Sequence, residues 1–447
     1  MSRRCVRKSF VAFLSVLFAS ALLLAGAASA HRRDDSSHDR NSAPRLTRDL
    51  TGSVPAHDGE RIHLSTDLGS IVVHAGSSDK VDYRVHLEAD ASQKDAEELL
   101  KGFSITAREK SGEVDLKAQN LGRRSTGRLW LTLELNIPQN ASLDASTGGG
   151  NIDAGGIGGR VTLSTAGGNI TAGDIGGPAR LETGGGNIVA KSVSGELTAD
   201  TGGGHITIGS VAGNATLHTG GGHIRVTSVQ GTAHLYTGGG NITVEHSGAE
   251  LTAETDGGEI EVGEAAGLVR AKTGGGGIRV VRVVGSTDLE TSAGSIYLTQ
   301  VDSPVKASTT AGGITAWFVS PPKSGACDLQ SNAGDIVVHM PRDLAVTIDA
   351  QVELGDAHRV IVDPAFPLKV SYDDSTRGSH TVRAEGALNG GGELLRLRTV
   401  AGNIQFVLSN ADKQIEIYKQ QMEKLQRQLQ SQLRMAGASQ AASGDLP

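Results

Sequence analysis

An isoleucine occupies every eighteenth position through the middle of this chain, ten times without interruption, and this period restricts the fold more strongly than any other feature. Each isoleucine ends a hexapeptide that begins with threonine and is mostly glycine inside, as in TGGGNI, TAGGNI, TGGGHI, TDGGEI and TSAGSI. A fixed short period is typical of one supersecondary unit stacked on copies of itself. It therefore predicts a solenoid in which the isoleucines form one row: Ile152, Ile170, Ile188, Ile206, Ile224, Ile242, Ile260, Ile278, Ile296 and Ile314.

Two further rows predict a packed interior. They begin at Val161 and Leu163 and continue with the same period to Val305 and Ala307. Wherever one row has alanine, the other has leucine or valine in the same repeat, so the side-chain volume of each layer stays nearly constant. Such compensation is expected of neighbours that share a core, because surface positions have no volume to conserve.

Polar residues alternate with these apolar rows, which indicates short β-strands. Each repeat reads as a strand, a glycine-rich turn, a second strand and a turn at a second glycine such as Gly177. Three consecutive glycines would cost a helix about 3 kcal/mol, which excludes a helical unit. We expect glycine at the corners because it often adopts positive φ there and has no Cβ to clash with the coil above.

The threonines that open the hexapeptides form a second unbroken row, from Thr147 to Thr309. β-Branching favours the strand, and the hydroxyl can bond a backbone group of the corner. Because the threonines share the parity of the core leucines, we expect them to face inward or to lie at the bend. The alternative is an outward threonine ladder that orders ice.

The start of the chain, 1–30, predicts a secretory signal peptide. Arg3, Arg4, Arg7 and Lys8 precede an apolar stretch, and Ala28-Ser29-Ala30 offers a cleavage site before His31. An uncleaved anchor is the alternative. We therefore expect an exported protein that is periplasmic, displayed on the cell surface or secreted.

Cleavage would remove Cys5 and leave Cys327 alone, so the mature chain has no intramolecular disulfide. It would also remove four of the 42 basic residues, and 38 minus 49 acidic residues gives a net charge of −11. A chain this acidic, without a basic cluster, argues against nucleic acid as a partner.

Outside the strict repeat, composition and period divide the chain into sections. We expect a short helix near residues 95–103, and a degenerate copy of the turn signature, LGSI, at residues 68–71. The predicted sections are a signal peptide (1–30), a disordered lead-in (31–57), a strand-rich N-terminal cap (58–146), the regular 18-residue-repeat β-solenoid (147–318), an irregular continuation of the solenoid (319–409), an amphipathic helix or short coiled coil (410–436) and a disordered tail (437–447).

The C-terminal helix is predicted from a change of period. Residues 411–435 contain no glycine or proline, and their apolar side chains step by three and four: Ile415, Tyr418, Met422, Leu425 and Leu429. About three heptads are marginal alone, so we expect this helix either to dock on the solenoid or to self-associate with another chain.

This layout resembles a bacterial family known as the putative adhesin domain of unknown function. The likeness covers residues 58–408 and depends on the strand LELNIP at 133–138 and on the T-x-x-G-x-I turn, which recurs twelve times. The resemblance implies an exported or envelope-associated protein and a right-handed β-solenoid. The word adhesin in that family is itself largely inferred from architecture.

No catalytic residue, cofactor-binding residue or metal ligand is predicted. The outward positions drift among Thr, Ser, Glu, Arg and Lys without the convergent acids and bases of a polysaccharide lyase or hydrolase. Tyr236 and Tyr297 are the only aromatic residues between 147 and 314, which argues against an array of sugar-stacking platforms. For Trp317 and Phe318 we favour core packing over an apolar edge.

Metal binding is the remaining alternative. Calcium-binding nonapeptide repeats also make 18-residue coils, but here the position after the glycines lacks their aspartate and carries asparagine or histidine in most repeats. His205 and His223 fall on adjacent layers, with His218 and His234 near them in sequence, so Zn²⁺ or Ni²⁺ is conceivable. We favour the reading that these histidines are solvated members of a ladder.

The sequence thus predicts an all-β protein, a parallel β-solenoid of 18-residue coils with an N-terminal cap and a C-terminal α-helix. The predicted function is that of a non-enzymatic, adhesin-like scaffold that presents a repetitive surface to a macromolecule, such as a cell-wall polymer or protein. The alternative is a β-helical carbohydrate-active enzyme.

Overall fold

Two strands and two corners make up each coil in the computed structural model, as the 18-residue period predicts. The structure describes residues 46–90, 92–121, 128–323, 325–354, 357–374, 380–409 and residue 427. The predicted signal peptide, the first part of the lead-in, the tail and the C-terminal helix lie outside the described residues, apart from Arg427, whose backbone is helical.

Within its described residues, the N-terminal section contains seven strands and one helix. They are β1 Leu46–Pro55, β2 Arg61–Thr66, β3 Ser70–Gly76, β4 Lys80–Asp90, α1 Gln93–Lys101, β5 Phe103–Lys110, β6 Glu113–Asn120 and β7 Arg128–Pro138.

The regular section alternates two kinds of strand, one ending at the repeat threonine and the next beginning at the repeat isoleucine. They are β8 Ser142–Thr147, β9 Ile152–Gly155, β10 Val161–Thr165, β11 Ile170–Ile175, β12 Ala179–Thr183, β13 Ile188–Val193, β14 Leu197–Thr201, β15 Ile206–Val211, β16 Ala215–Thr219, β17 Ile224–Val229, β18 Ala233–Thr237, β19 Ile242–Ser247, β20 Leu251–Thr255, β21 Ile260–Ala265, β22 Val269–Thr273, β23 Ile278–Val283, β24 Thr287–Thr291, β25 Ile296–Val301, β26 Val305–Thr309 and β27 Ile314–Phe318.

The described part of the C-terminal section continues with eight strands of more varied length. They are β28 Cys327–Ser331, β29 Ile336–Met340, β30 Val346–Val352, β31 Val360–Val362, β32 Lys369–Asp374, β33 His380–Leu388, β34 Leu394–Thr399 and β35 Ile404–Leu408.

These strands form two long sheets, one on each side of the coils. The isoleucine sheet runs β1-β4-β7-β3-β9-β11, through the odd-numbered strands to β29, and then to β35 and β31. The threonine sheet runs β5-β6-β2-β8-β10, through the even-numbered strands to β28, and then to β34, β30, β33 and β32. Within the regular section every pairing is parallel.

The core lies between the two sheets. Ile188 pairs with Ile206 and Leu181 with Ala199, each over its equivalent in the next coil. The isoleucine row and the rows that begin at Val161 and Leu163 are buried in one hydrophobic cluster, apart from Thr287, which is buried but polar. The prediction that matching side chains stack because the backbone completes one circuit per repeat is therefore confirmed.

The coil order at both ends of the stack differs from the chain order. The β2–β3 coil lies between the β6–β7 and β8–β9 coils, and Thr66 and Ile71 pair with Thr147 and Ile152. The LGSI segment is thus a degenerate turn of the solenoid, as predicted. At the other end, the β34–β35 coil lies between β28–β29 and β30–β31.

Antiparallel strands lie at the outer ends of the sheets. β1 pairs antiparallel with β4, β5 with β6, and β33 with both β30 and β32. Helix α1 is confirmed where a short helix was expected; Ser92 caps its N-terminus, and it packs on β4, β1 and β5. Such irregular ends interrupt the row of parallel strand edges on which a further coil could be added.

The expectation of a disordered lead-in through residue 57 is wrong for its last part. Leu46–Pro55 forms β1, and all ten of its residues are in register with β4. This strand was not predicted because its residues are mostly polar. They can be polar because β1 lies at a sheet edge and buries only Val54 among its residues.

Candidate functional site

The threonine–glycine corner has a structural role. In each regular coil the threonine hydroxyl donates to the carbonyl of the glycine at the fourth position of the preceding hexapeptide, which is the third glycine of TGGGNI, as Thr219 Oγ1 does to Gly204 O at 2.8 Å. The same oxygen accepts the amide N–H of the third glycine of its own coil, Gly222, at 3.1 Å. Thr201, Thr219 and Thr237 are fully buried. The threonines therefore face inward, which removes the basis of an outward ice-ordering ladder.

The three glycines of a corner are not equivalent. A Cβ on Gly204 would lie 1.9 Å from Gly186 O of the coil before, whereas a Cβ on Gly203 would meet no atom within 4 Å. No corner glycine between Gly167 and Gly312 has positive φ. The expectation of positive φ is therefore wrong for these corners: the third glycine is required by the close approach of the coils, not by its torsion angles.

The residue after the glycines forms a second ladder, on the outer side of the corner. Where this residue is asparagine or histidine, its side chain accepts the backbone N–H of the equivalent residue in the next coil, as Asn169 Oδ1 does from Asn187 N–H at 2.8 Å. His205 Nδ1 accepts from His223 N–H at 2.9 Å, and His223 Nδ1 from Asn241 N–H at 2.8 Å. An Nδ1 that accepts cannot carry a proton, so both rings serve the ladder in the form protonated only at Nε2.

The two histidines stack as predicted, with ring centroids 5.0 Å apart. Partial burial, followed by the neighbouring His205 and Arg225, lowers the pKa of His223. His218 and His234 lie elsewhere, on the outer face of the threonine sheet. Within the described ranges, no group of three or more His, Cys, Asp or Glu side chains is placed to hold a metal ion.

The outer face of the threonine sheet carries charges of both signs that pair between layers. Lys272 Nζ lies 3.2 Å from Glu290, and Lys306 Nζ lies 3.8 Å from Asp288. Exposed pairs of this kind contribute only about 0–1 kcal/mol each. The outer face of the threonine sheet is therefore polar, and its positive and negative charges nearly balance.

An aromatic pair interrupts this charged face. His218 stacks on Tyr236 with ring centroids 5.3 Å apart, and its Nδ1 lies 3.1 Å from Asp200. The Tyr236 hydroxyl donates to Asp256 at 3.2 Å, and the charge of Asp256 raises the pKa of Tyr236. Because the rings stack on each other between layers, each covers part of the face that a sugar ring would need.

On the outer face of the isoleucine sheet, Arg279 lies 5.5 Å from the ring centroid of Tyr297, one layer away. Trp317 stacks on His339 at 4.7 Å, while Phe318 is buried in the core. The core interpretation is therefore confirmed for Phe318 and wrong for Trp317, because the alternation of β27 directs these neighbours to opposite faces.

Sequence reasoning missed a polar groove of about 480 Å³ at the N-terminal end, outside the threonine sheet. Its walls are β2, β5 and β6, and its lining side chains are His63, Ser65, Arg108, Lys110, Glu113, Asp115 and Lys117. The alternation in β6 places Glu113, Asp115 and Lys117 on one face, a signal that the sequence offered in the segment GEVDLKAQ.

One protein-family model matches the cap and most of the regular solenoid. The model is Toastrack DUF4097, and the matched residues are 60–265. These residues form a Toastrack domain. No curated protein is significantly similar to the chain. None of the helical segments within the described residues is long and apolar enough to cross a membrane.

Three solved structures are similar to this chain at low identity. A putative cell adhesion protein from Clostridium sporogenes ATCC 15579 is 10% identical over 81% of this chain and 100% of that chain, with a TM-score of 0.17. A putative adhesin from Bacteroides fragilis NCTC 9343 is 16% identical over 54% and 96%, with a TM-score of 0.25. A putative lipid binding protein from Parabacteroides distasonis ATCC 8503 is 16% identical over 58% and 93%, with a TM-score of 0.26.

Proposed function

We propose that this Toastrack protein is an exported, non-enzymatic scaffold of the cell envelope or cell surface. In this proposal it is adhesin-like, and it presents a repetitive outer face to a macromolecule such as a cell-wall polymer or a surface protein. Nucleic acid is not the partner, because the outer faces carry both signs of charge on a chain with a net charge of −7.

The observation that carries the proposal is the regular spacing of the outward side chains over a filled interior. Equivalent residues of the threonine sheet, such as Thr198 and Thr216, repeat at one interstrand step, which is about 4.8 Å. The side chains between the sheets belong to one buried cluster that extends from Val54 to Phe406. A stack of this kind offers a long, rigid surface for a partner that is itself repetitive.

The threonine sheet is the face we assign to this interaction. Its outer rows carry the paired charges and the His218–Tyr236 pair, and Tyr236 is 37% exposed. Amphipathic rings with accessible polar edges are enriched at protein interfaces.

Binding to purified bacterial cell-wall sacculi tests the proposal. The full chain should co-sediment with sacculi, and H218A/Y236A should raise the dissociation constant at least about tenfold, a loss of about 1.4 kcal/mol. The matched control T207A/T243A changes two outward residues of the isoleucine sheet and should bind like the parent. Equal binding by both variants, or no binding by the parent to sacculi or to envelope proteins, would contradict the proposal.

Export is tested separately, by cell fractionation and N-terminal sequencing. The protein should be recovered outside the cytoplasm with His31 as its first residue. Recovery in the cytoplasm with residues 1–30 intact would contradict an exported scaffold.

A β-helical carbohydrate-active enzyme remains the second candidate, since the N-terminal groove places Glu113 and Asp115 beside Arg108 and Lys117. Glycoside hydrolysis uses a pair of carboxyl groups. We expect no new reducing ends or unsaturated products from a panel of polysaccharides. Activity that disappears in both E113Q and D115N would favour the enzyme instead.

A further inference from the structure

The fourth residue of each strand in the isoleucine sheet forms a row on the outer face, here named the fourth-residue row. It contains one residue from each successive coil: Lys191, Gly209, Thr227, Glu245, Gly263, Val281, Thr299 and Trp317. The Lys191 side chain is 74% exposed, as expected of an outward position. Further along the same row, Glu245 is 4%, Val281 7% and Thr299 2% exposed.

Three polar side-chain atoms in this row are shielded from solvent and have no hydrogen-bond partner among the described residues. They are Thr227 Oγ1, Thr299 Oγ1 and Trp317 Nε1. Shielding without hydrogen bonds is what an apolar cover produces, because apolar side chains exclude water and offer no donor or acceptor.

The described strands do not supply this cover. Each strand from β17 to β27 in the isoleucine sheet has its principal contacts with its neighbours in the same sheet and with threonine-sheet strands across the core. Neighbouring strands lie in the plane of the sheet, and the threonine sheet lies on its inner side. The cover must therefore come from outside these strands.

The chain that follows Leu408 starts near this row and has the right length. From β35 to β17 there are seven interstrand steps, through β29, β27, β25, β23, β21 and β19, which span about 34 Å. A helix over the segment 411–435 is about 37 Å long. A helix of this length that starts beside β35 would end near Thr227, where the shielded stretch also ends. The exposed Lys191 lies two coils beyond Thr227.

The chemistry of residues 411–435 fits the row. Ile415, Tyr418, Met422, Leu425 and Leu429 form one apolar stripe on a helix. Gln421, Gln428 and Gln432 flank this stripe and bring amide donors. A buried carboxylate such as that of Glu245 requires donors nearby.

We propose that residues 411–435 form a helix that docks intramolecularly on the fourth-residue row, running back along the stack from the β29 layer to the β17 layer. At about 1.5 Å per residue along the helix and 4.8 Å per layer, Met422 lies over Val281. The docked helix occupies the isoleucine sheet and leaves the threonine sheet as the open face.

Disulfide trapping in the full chain tests the register. In a C5S/C327A background, V281C is combined in turn with I415C, M422C and L429C and then mildly oxidised. Intramolecular cross-linking, detected by non-reducing electrophoresis, should be greatest with M422C. The matched control K191C/M422C places the first cysteine five layers from Val281, about 24 Å away, and should not cross-link.

Cross-links that form only between chains would overturn the proposal in favour of a coiled coil between two copies. No cross-link in any of the three pairs, or equal cross-linking of K191C, would overturn it as well.

Trp317 provides a second readout that does not depend on engineered cysteines. In a W130F background it is the only tryptophan, and it lies in the layer that Ile415 would cover. I415D should raise the acrylamide quenching constant of Trp317 at least about twofold, whereas Q420D, on the opposite face of the helix, should leave it unchanged. An unchanged quenching constant in I415D would contradict docking on this row.

Discussion

At the scale of single residues, each position of the TGGGNI hexapeptide has its own physical task. The threonine bridges two coils through one hydroxyl, the third glycine makes room for the coil before it, and the following asparagine or histidine accepts the next coil's N–H. The sequence predicted the inward threonine. It could not separate the middle glycine from the third, because both are written as glycine and only the contact between coils distinguishes them.

Gly203 and Gly204 are neighbours with opposite expected sensitivity. G204A should destabilise the protein by at least about 2 kcal/mol, because its Cβ would overlap Gly186 O and force the coils apart. G203A, whose Cβ points into open space, should change the free energy of unfolding by no more than about 0.5 kcal/mol. Urea unfolding of both variants measures the difference, and equal destabilisation would contradict the steric account.

His223 makes the stability depend on pH in a defined direction. Its pKa is lowered in the folded state, so below about pH 6.5 the unfolded chain binds more protons and the folded state loses stability as the pH falls. H223N keeps an acceptor for the Asn241 N–H, and should match the parent at pH 7.5 but lose less stability by pH 5.

H223A serves as the control, since it lacks both the acceptor and the titration. It should be less stable than H223N by about 0.5–1 kcal/mol at pH 7.5. The account of His223 is wrong if urea unfolding shows the same pH dependence in the parent and in H223N.

At the scale of elements, repetition explains what could be read from the sequence and what could not. Where 18-residue copies succeed one another, each strand has one partner that matches its residues, so Ile188 over Ile206 follows from the spacing. Outside the copies no such match exists. The sequence therefore did not indicate that β2–β3 lies between β6–β7 and β8–β9, or that Leu46–Pro55 adds a strand at the edge.

Deleting one complete coil is the corresponding prediction. Removal of residues 203–220, one full period, should leave every row continuous, and the protein should still unfold cooperatively, with a urea m-value lower by about 5%. Removal of only the half-period 203–211 deletes a single strand and part of one corner, so the following coils cannot stack in register. Circular dichroism and urea unfolding should show loss of the cooperative transition only in the half-period deletion.

At the scale of the whole molecule, the two sheets have unequal outer faces. The threonine sheet is open, with paired charges and the His218–Tyr236 pair, whereas part of the isoleucine sheet is shielded along the fourth-residue row. The sequence predicted the all-β solenoid and left two roles open for the helix at 410–436. The sequence did not identify a ligand. A partner is recognised by the outward residues, and core packing does not impose a repeating pattern on their identities. Right-handedness, which the family resemblance implies, stays a prediction.

Distances between spin labels along one outward row test the central claim most directly. Thr162, Thr216, Thr252 and Lys306 occupy the same position of the threonine sheet, three, five and eight layers from the first. Pulsed electron paramagnetic resonance on double-cysteine variants should give backbone separations from residue 162 of about 14, 24 and 38 Å, rising in proportion to the number of repeats. Separations that do not rise by one interstrand step per repeat would contradict the solenoid.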